Sequence, residues 1–242
     1  MRWPGLKAPP TSSRGPPYVK EDIQFFLFDI QEKGTGRSLP AEERYRLAEE
    51  YGIPQVERFG LYDSSKVGEL KELIERLSEE KREGIVMKSP PDMKRIAKYV
   101  TPYANINDIK IGSHIFFDLP PHGYFMQRIK RLAFYLAENH VKGEEFENYA
   151  KALGTALLRP FVESIHEVAN GGEVDETFTV RVKNITTAHK MVTHFERLGG
   201  VKIHIEDIED LGNGYWRITF KRVYPDATRE IRELWNGLAF VD

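Results

Sequence analysis

The segment that most constrains this chain is a short apolar run between two charged residues, Glu83-Gly84-Ile85-Val86-Met87-Lys88. Its apolar and β-branched residues predict a strand from Gly84 to Lys88. Alternate residues of a strand face opposite sides, so Glu83 and Lys88 meet one ligand only if the strand bends at Gly84 or if they act from its two ends. A carboxylate can bind a divalent metal and a lysine can bind phosphate. An edge strand with charged ends is the alternative interpretation.

Further basic residues surround this run. Residues 81–98 have a local excess of four positive charges, from Lys81, Arg82, Lys88, Lys94, Arg95 and Lys98 against Glu83 and Asp92. Lys94 and Lys98 are four residues apart and share a face, where two ammonium groups repel unless an anion lies between them. A solvated helix face would also explain that spacing. Because the whole chain has a net charge of −2, this segment suits small anions or a few phosphates better than a long duplex.

The composition narrows the class of protein. A chain of 242 residues with 40% hydrophobic residues can form one large domain or two to three small ones. The absence of Cys excludes disulfides, thiolate metal sites and Cys nucleophiles, and no two His residues have the spacing of a metalloprotease site. Without a long apolar run or an apolar N-terminal segment, we expect a cytoplasmic protein with no membrane partner. The 30% of charged residues favours a heat-adapted protein.

The first half of the sequence alternates strand and helix patterns. Predicted strands are Ile23–Ile30, which would be buried, Val56–Leu61 and Gly84–Lys88. After a break at Pro90-Pro91, the segment Ile96–Val100 fits either a helix or a strand. Predicted helices are Pro40–Glu50, with Ser38 as its cap, and Lys66–Lys81, with an apolar stripe formed by Val67, Leu70, Leu73, Ile74 and Leu77.

The second half begins with two long helical patterns, His122–His140 and Glu144–Asn170, joined by a turn at Lys142-Gly143. An isolated hairpin of two helices this apolar cannot bury its own surface. It must pack on the preceding domain or pair with a copy of itself, and we favour a homodimer. The last segment predicts a β-α-β-β-α order, with helices Thr186–Leu198 and Ala227–Leu238 and a hairpin turn at Asn213-Gly214.

Three short motifs, in their order and separation, resemble the nucleotidyltransferase motifs IIIa, IV and V of ATP-dependent ligases. They are Phe25-Phe26-Leu27-Phe28-Asp29-Ile30, the run Glu83–Lys88, and Lys98-Tyr99-Val100. The wider pattern, from about Tyr18 to the C-terminus, resembles the archaeal ATP-dependent RNA ligases that circularise RNA and form homodimers. It includes the helix at Leu39-Pro40, the segment Lys98–Tyr103, the helical hairpin and the terminal α+β unit.

The resemblance implies an α+β fold with four parts. Residues 1–20 would be extended or disordered, and residues 21–117 would form the back half of a nucleotidyltransferase domain. Residues 118–172 would be a helical dimerisation hairpin, and residues 173–242 a small α+β domain with an antiparallel sheet.

The resemblance also implies a chemistry. In that family a lysine attacks the α-phosphate of ATP, the AMP passes to an RNA 5′-phosphate, and a 3′-hydroxyl displaces it. We therefore expect ATP and Mg²⁺ as cofactors and RNA with single-stranded ends as the partner. By motif match, Glu83 would help to hold Mg²⁺, Lys88 and Lys98 would neutralise phosphate charge as catalytic residues, and Phe28 would back the adenine pocket.

The nucleophile of that family has no match here. Its Lys-x-Asp/Asn-Gly motif lies upstream of motif IIIa, whereas none of the 28 residues before Asp29 forms such a motif. Lys33–Gly36 fits a looser pattern but follows motif IIIa, and Lys151–Gly154 lies in a predicted apolar helix. We therefore expect the C-terminal portion of a ligase, which does not self-adenylate. The alternative is a non-catalytic dimeric module that binds RNA or a protein.

Overall fold

The described chain forms two separate units, with the boundary after Ala104. The structure is a computed structural model. It describes residues 6–7, 22–23, 26–63, 65–89, 95–119, 122–197, 200–212 and 214–238. Most of the predicted segment 1–20, the break at Pro90-Pro91, and Lys94 lie outside these residues. None of the described helices has the length and apolar composition that crossing a membrane requires.

The first unit contains short strands and two helices before its boundary. Strands β1 (Leu6–Lys7) and β2 (Asp22–Ile23) pair antiparallel, as do β3 (Gly84–Lys88) and β4 (Ile96–Val100). The helices are α1 (Ala41–Glu50) and α2 (Val67–Glu79), and α3 (Pro102–Gly112) begins at its end. The predictions for α1, α2 and β3 are therefore confirmed, and Ile96–Val100, which the sequence left open between helix and strand, is a strand.

Helix α2 supplies much of the core of this unit. Leu73, Ile74 and Leu77 are 5%, 4% and 0% exposed, and Ile85 of β3 is also buried. Burial of each such side chain stabilises the fold by roughly 1.5–3 kcal/mol. Val67, which was predicted on the same stripe, is 52% exposed because it is the first residue of the helix.

Two predicted strands and one predicted cap are wrong. In place of Val56–Leu61 there is only an isolated parallel bridge between Leu27 and Gln55. The described part of Ile23–Ile30 is not buried on both sides, since Leu27 is buried while Phe26 and Phe28 are exposed. Among the described residues, no neighbouring strand extends this bridge into a ladder. The backbone groups of the segment form hydrogen bonds with loop residues instead. Ser38 does not cap α1, because its hydroxyl donates to Asp29.

The turn after α2 directs the chain into β3. Lys81 adopts a left-handed conformation with φ of 60°, and its N–H donates to the carbonyl of Ser78. The N–H of Arg82 donates to the carbonyl of Leu77 at 2.8 Å, which completes a Schellman motif. Gly84 follows with φ of +145°, and a Cβ there would lie 2.0 Å from the carbonyl oxygen of Tyr99. Glycine is therefore required where β3 begins.

Thr101 closes the other end of the β3–β4 ladder. Its side chain is fully buried and its hydroxyl donates to the carbonyl of Arg82 at 2.6 Å. The N–H of Ala104 donates to the same hydroxyl, so Thr101 caps α3 with Pro102 in the first position of the helix. The sequence Thr101-Pro102 thus ends the strand and starts the helix at one point.

The second unit contains a helical hairpin and a three-stranded sheet. After α3 come a 3₁₀ helix (Ser113–Asp118) and a π-helical turn (His122–Met126), then α4 (Gln127–Glu138) and α5 (Gly143–Ala169). The remaining elements are β5 (Asp175–Val182), α6 (Ile185–Arg197), β6 (Lys202–Gly212), β7 (Tyr215–Val223) and α7 (Pro225–Trp235). The sheet is antiparallel in the order β5-β7-β6. The predicted helical hairpin and the β-α-β-β-α order are confirmed, and Asn213 of the predicted turn lies outside the described residues.

Three apolar clusters hold this unit together. Ile109, Phe125 and Ala156 join α3, the π-helical turn and α5. A second cluster joins α5 to α7 and the 3₁₀ helix, and its buried residues are Ile115, Val168, Val174, Tyr224, Ala227 and Ile231. The third lies between α6 and the sheet, with Phe178, Ala188, Ile218 and Phe220 buried. The hairpin therefore covers part of its apolar surface by packing α5 on α7.

Replacing Gly84 by Ala should destabilise the first unit by about 2 kcal/mol, because the backbone conformation is strained for alanine and its Cβ would overlap a backbone carbonyl. Gly68→Ala is the matched control, since Gly68 lies inside α2 with no atom near its Cβ position. That change should stabilise the helix by about 0.5–1 kcal/mol. Differential scanning calorimetry distinguishes the two, and equal melting temperatures for both variants would contradict the predicted geometry.

Candidate functional site

The β3–β4 ladder places Lys88 and Lys98 on one face of the two-stranded sheet. Val86 is paired with Lys98, and Lys88 with Ile96, in an antiparallel register. Directly paired residues point to the same side of a sheet, as do residues two apart on one strand. Lys88 and Lys98 are therefore diagonal neighbours, which are typically about 7–8 Å apart. The opposite face holds the buried Ile85.

Lys88 is held by an aspartate that lies 59 residues earlier in the chain. Its Nζ is 2.9 Å from Oδ2 of Asp29, and the two side chains are only 11% and 20% exposed. The same Nζ lies 4.5 Å from the ring centroid of Phe28, a cation–π contact. An ammonium group has three N–H donors, so the ion pair with Asp29 uses only part of its hydrogen-bonding capacity.

The carboxylate of Asp29 is itself fixed by several donors. Burial alone would raise the pKa of Asp29, but hydrogen bonds from Lys88 and Ser38, the charge of Lys88 and the backbone N–H of Ile30 together lower it. The Ser38 hydroxyl donates to Oδ2 and the Ile30 N–H to Oδ1, each at 2.9 Å. Asp29 is therefore ionised at neutral pH and keeps the position of the Lys88 ammonium.

Glu83 and Lys98 form a second ion pair on the same sheet. Nζ of Lys98 donates to Oε1 of Glu83, and both side chains are about half exposed, at 52% and 53%. Because β3 bends at Gly84, the Glu83 carboxylate reaches the side chain of Lys98. Exposed ion pairs contribute little to stability, typically less than about 1 kcal/mol. Either partner can therefore exchange this contact for a ligand at low cost.

Phe28 presents its ring to solvent from a fixed backbone. The guanidinium of Arg44 in α1 is buried and donates to the carbonyl of Phe28 at 2.5 Å. The Phe28 side chain nevertheless remains 45% exposed, and Phe26 is 38% exposed. An exposed aromatic residue in contact with an ion-paired lysine, as Phe28 is with Lys88, offers a surface on which a planar ring could stack.

The donor set can be compared with what Mg²⁺ requires. Within the described residues there is no group of three or more His, Cys, Asp or Glu side chains that could hold a metal alone. Mg²⁺ is usually bound through one or two carboxylates, water molecules and substrate phosphates. Glu83 lies on the same sheet as Lys88 and Lys98, so one carboxylate with two neighbouring lysine side chains fits this pattern of shared coordination.

The structure brings together the predicted residues Phe28 and Lys88, and separately Glu83 and Lys98. Sequence reasoning did not include Asp29 or Ser38 among the site residues. Asp29 ends the aromatic run that also contains Phe28, and a carboxylate directly after such a run was the available signal. Ser38 gave no such signal, because its position also suits a helix cap.

Comparisons with known proteins place the chain in a family. A family model described as the ligase Pab1020 C-terminal region matches residues 112–238, slightly more than half of the chain, and a model described as RNA ligase matches residues 7–100. The chain belongs to this RNA ligase family. The two matches meet near the boundary between the two units of the fold.

Solved structures agree with this family. The chain is 30% identical to a putative ATP-dependent DNA ligase from Aquifex aeolicus, with a TM-score of 0.86 over 98% of this chain and 66% of the other. It is 31% identical to an archaeal ATP-dependent RNA ligase, with a TM-score of 0.82 over 95% of this chain and 61% of the other. Among curated proteins it is 39% identical to the uncharacterized protein MJ0414 of Methanocaldococcus jannaschii, over 65% of this chain and 40% of that protein.

Replacing Lys88 by Met should raise the pKa of Asp29, because a hydrogen bond and a neighbouring positive charge are both removed. A carboxyl with a lowered pKa stabilises the fold above its ordinary pKa, and this contribution is lost as the pH falls through the folded-state pKa. Relative to the wild type, the variant should therefore have a lower free energy of unfolding at neutral pH, and the difference should be smaller in acid. Carbon-13 NMR titration of the Asp side chains measures the pKa directly.

Lys98→Met is the matched control for this prediction, since Lys98 is paired with Glu83 and not with Asp29. It removes one positive charge from the same face and should leave the pKa of Asp29 close to its wild-type value. An unchanged Asp29 pKa in Lys88→Met, or an equal increase in both variants, would contradict the arrangement described here.

Proposed function

We propose that the first unit of this RNA ligase family member binds the phosphates of ATP, as part of an enzyme that joins RNA 5′-phosphate and 3′-hydroxyl ends. The observation that carries the proposal is the position of Lys88, with its ammonium held by Asp29 beside Phe28. The chain spans 40% of the M. jannaschii relative and 61–66% of the solved ligase chains. The activity of the whole protein is therefore proposed from a part of its length.

The two ion pairs suit two different roles. Lys88 is pre-positioned by a largely buried carboxylate, so it can donate to a phosphate oxygen without first being ordered. Lys98 and Glu83 are half exposed and can separate, which would allow Lys98 to contact phosphate and Glu83 to hold Mg²⁺. Mg²⁺ neutralises phosphate charge when it is bound. In transfers at phosphorus, such positioning and charge neutralisation provide most of the catalysis.

Phe28 is proposed to contact the adenine. Its side chain is 45% exposed and its ring lies 4.5 Å from the ammonium of Lys88, so a nucleotide could place its base against Phe28 while its phosphates approach Lys88. The sequence offers no Lys-x-Asp/Asn-Gly motif, and the proposal for this chain is nucleotide binding without formation of a lysyl-AMP.

Homodimerisation through residues 118–172 remains part of the proposal. Several large apolar side chains of the hairpin are exposed, among them Phe134 at 69% and Leu158 at 58%. Where such exposed apolar residues form one patch, that patch is typical of a protein interface. A second copy of the chain is the proposed partner of this surface, with RNA ends as the substrate.

Lys88→Met should weaken ATP binding in the presence of Mg²⁺ by about 10- to 100-fold, because hydrogen bonds to charged groups contribute about 1.5–3 kcal/mol. Isothermal titration calorimetry on the full chain measures this directly. The matched control is Lys66→Met, which removes a lysine of the same unit that is paired with Glu69 at the surface. Lys66→Met should bind ATP as the wild type does.

The rival hypothesis, a non-catalytic dimeric module, predicts a different result. In that case the wild-type chain would bind RNA or a protein with an affinity that does not depend on ATP or Mg²⁺, and would show no heat of ATP binding. Equal ATP affinity for the wild type and Lys88→Met would also contradict the proposed site.

A further inference from the structure

The outer face of α6 differs in charge from the rest of its domain. Helix α6 packs on the sheet through Ala188 and Val192, which are 1% and 9% exposed, together with Met191 and Phe195. The opposite side of the helix is exposed along its whole length. Residues spaced three and four apart lie on one face of a helix, and here they are Thr186, His189, Lys190, Thr193, His194 and Arg197.

This face, which we call the α6 surface, contains donors and no acid. Glu196 lies at its margin, and each of the six residues can donate hydrogen bonds. Within the described residues, neither Lys190 nor Arg197 is in an ion pair, whereas Arg217 and Lys221 of the neighbouring sheet are. Arg217 pairs with Glu209 at 2.5 Å, and Lys221 lies 3.5 Å from Asp175.

The edge strand β6 has the opposite charge. It carries Glu206, Asp207, Glu209 and Asp210, all exposed, against a single lysine, Lys202. A polyanion would be repelled from this edge and attracted to the α6 surface. The described part of this domain therefore has two cations without ion pairs on the outer face of α6 and a group of four exposed carboxylates on β6.

We infer that the α6 surface binds the phosphate backbone of the RNA substrate, as a contact separate from the nucleotide site of the first unit. Lys190 and Arg197 are seven residues apart, about 10.5 Å along the helix, so they can contact different phosphates of one strand. The hydroxyls of Thr186 and Thr193 and the imidazoles of His189 and His194 provide donors between and beside them. The contact is independent of base sequence, because it reads phosphates only.

This inference rests on the proposed RNA substrate, and its test uses the full chain with a short, fluorescein-labelled single-stranded RNA. Fluorescence anisotropy over a range of salt concentrations gives the affinity and its salt dependence. Lys190→Gln/Arg197→Gln should weaken binding by about 10- to 30-fold near 0.1 M salt and reduce the slope of log K against log salt by about 1.4.

The matched control is Lys66→Gln/Arg229→Gln, which removes the same two charges from exposed ion pairs elsewhere in the chain. It should leave both affinity and salt slope close to the wild-type values. Because all four side chains are on the surface, circular dichroism melts of the two double variants should match. Equal affinity for RNA in the α6 variant and the control would overturn the inference.

Two further measurements separate this inference from the nucleotide site. The α6 variant should keep its ATP affinity, and Lys88→Met should keep its RNA affinity, so that either site can fail alone. If the wild-type chain binds no RNA, the inference is wrong whatever the ATP result. If the α6 variant loses binding to poly-glutamate but not to RNA, the surface takes an acidic protein and the inference is also overturned.

Discussion

The ion pair between Asp29 and Lys88 is the contact on which the candidate site depends. It joins a loop segment before α1 to the end of β3, across 59 residues of sequence, with both side chains largely buried. Removing one partner of a buried pair leaves an uncompensated charge, which costs far more than the pair contributes. The hydrogen bonds from Ser38 and from the Ile30 N–H that hold Asp29 therefore also hold Lys88, and so fix the position at which its ammonium can bind an anion. The pair of Glu83 and Lys98 is about half exposed, so its partners can separate and bind a ligand at a lower cost than the partners of a buried pair.

Local patterns predicted most of the secondary structure. The apolar stripe of α2, the strand β3, the long helices of the hairpin and the β-α-β-β-α order of the small domain all follow from periodicity and turn residues. The two strand predictions that failed share one physical cause. The segments at Ile23–Ile30 and Val56–Leu61 have strand-like composition, but a strand needs a neighbour to complete its hydrogen bonds, and sequence does not show whether one is present. Gly84 shows the reverse case, since the need for a bend was visible and its cause, the carbonyl of Tyr99, was not.

The candidate site could be predicted only in part, because sequence shows motifs but not the tertiary contacts between them. Phe28, Glu83, Lys88 and Lys98 stand in short motifs, so their identity was accessible from the resemblance to ligases. Their pairing was not, because Asp29 and Ser38 reach Lys88 only through the tertiary fold. The α6 surface was missed altogether. A helix with two cations and two histidines is unremarkable in sequence. Its significance appears only in the structure, where Lys190 and Arg197 have no ion pair among the described residues and four exposed carboxylates lie together on β6.

If Lys88 and Lys98 bind the phosphates of one nucleotide, ATP should protect both lysines from chemical modification. The chain would be treated with an amine-reactive reagent with and without ATP and Mg²⁺, and modification at each lysine would be measured by mass spectrometry. We expect ATP to protect Lys88 and Lys98 but not Lys66, and Glu83→Ala to abolish the protection. Equal modification of Lys88 with and without ATP, or protection that is independent of Mg²⁺ and of Glu83, would contradict this expectation.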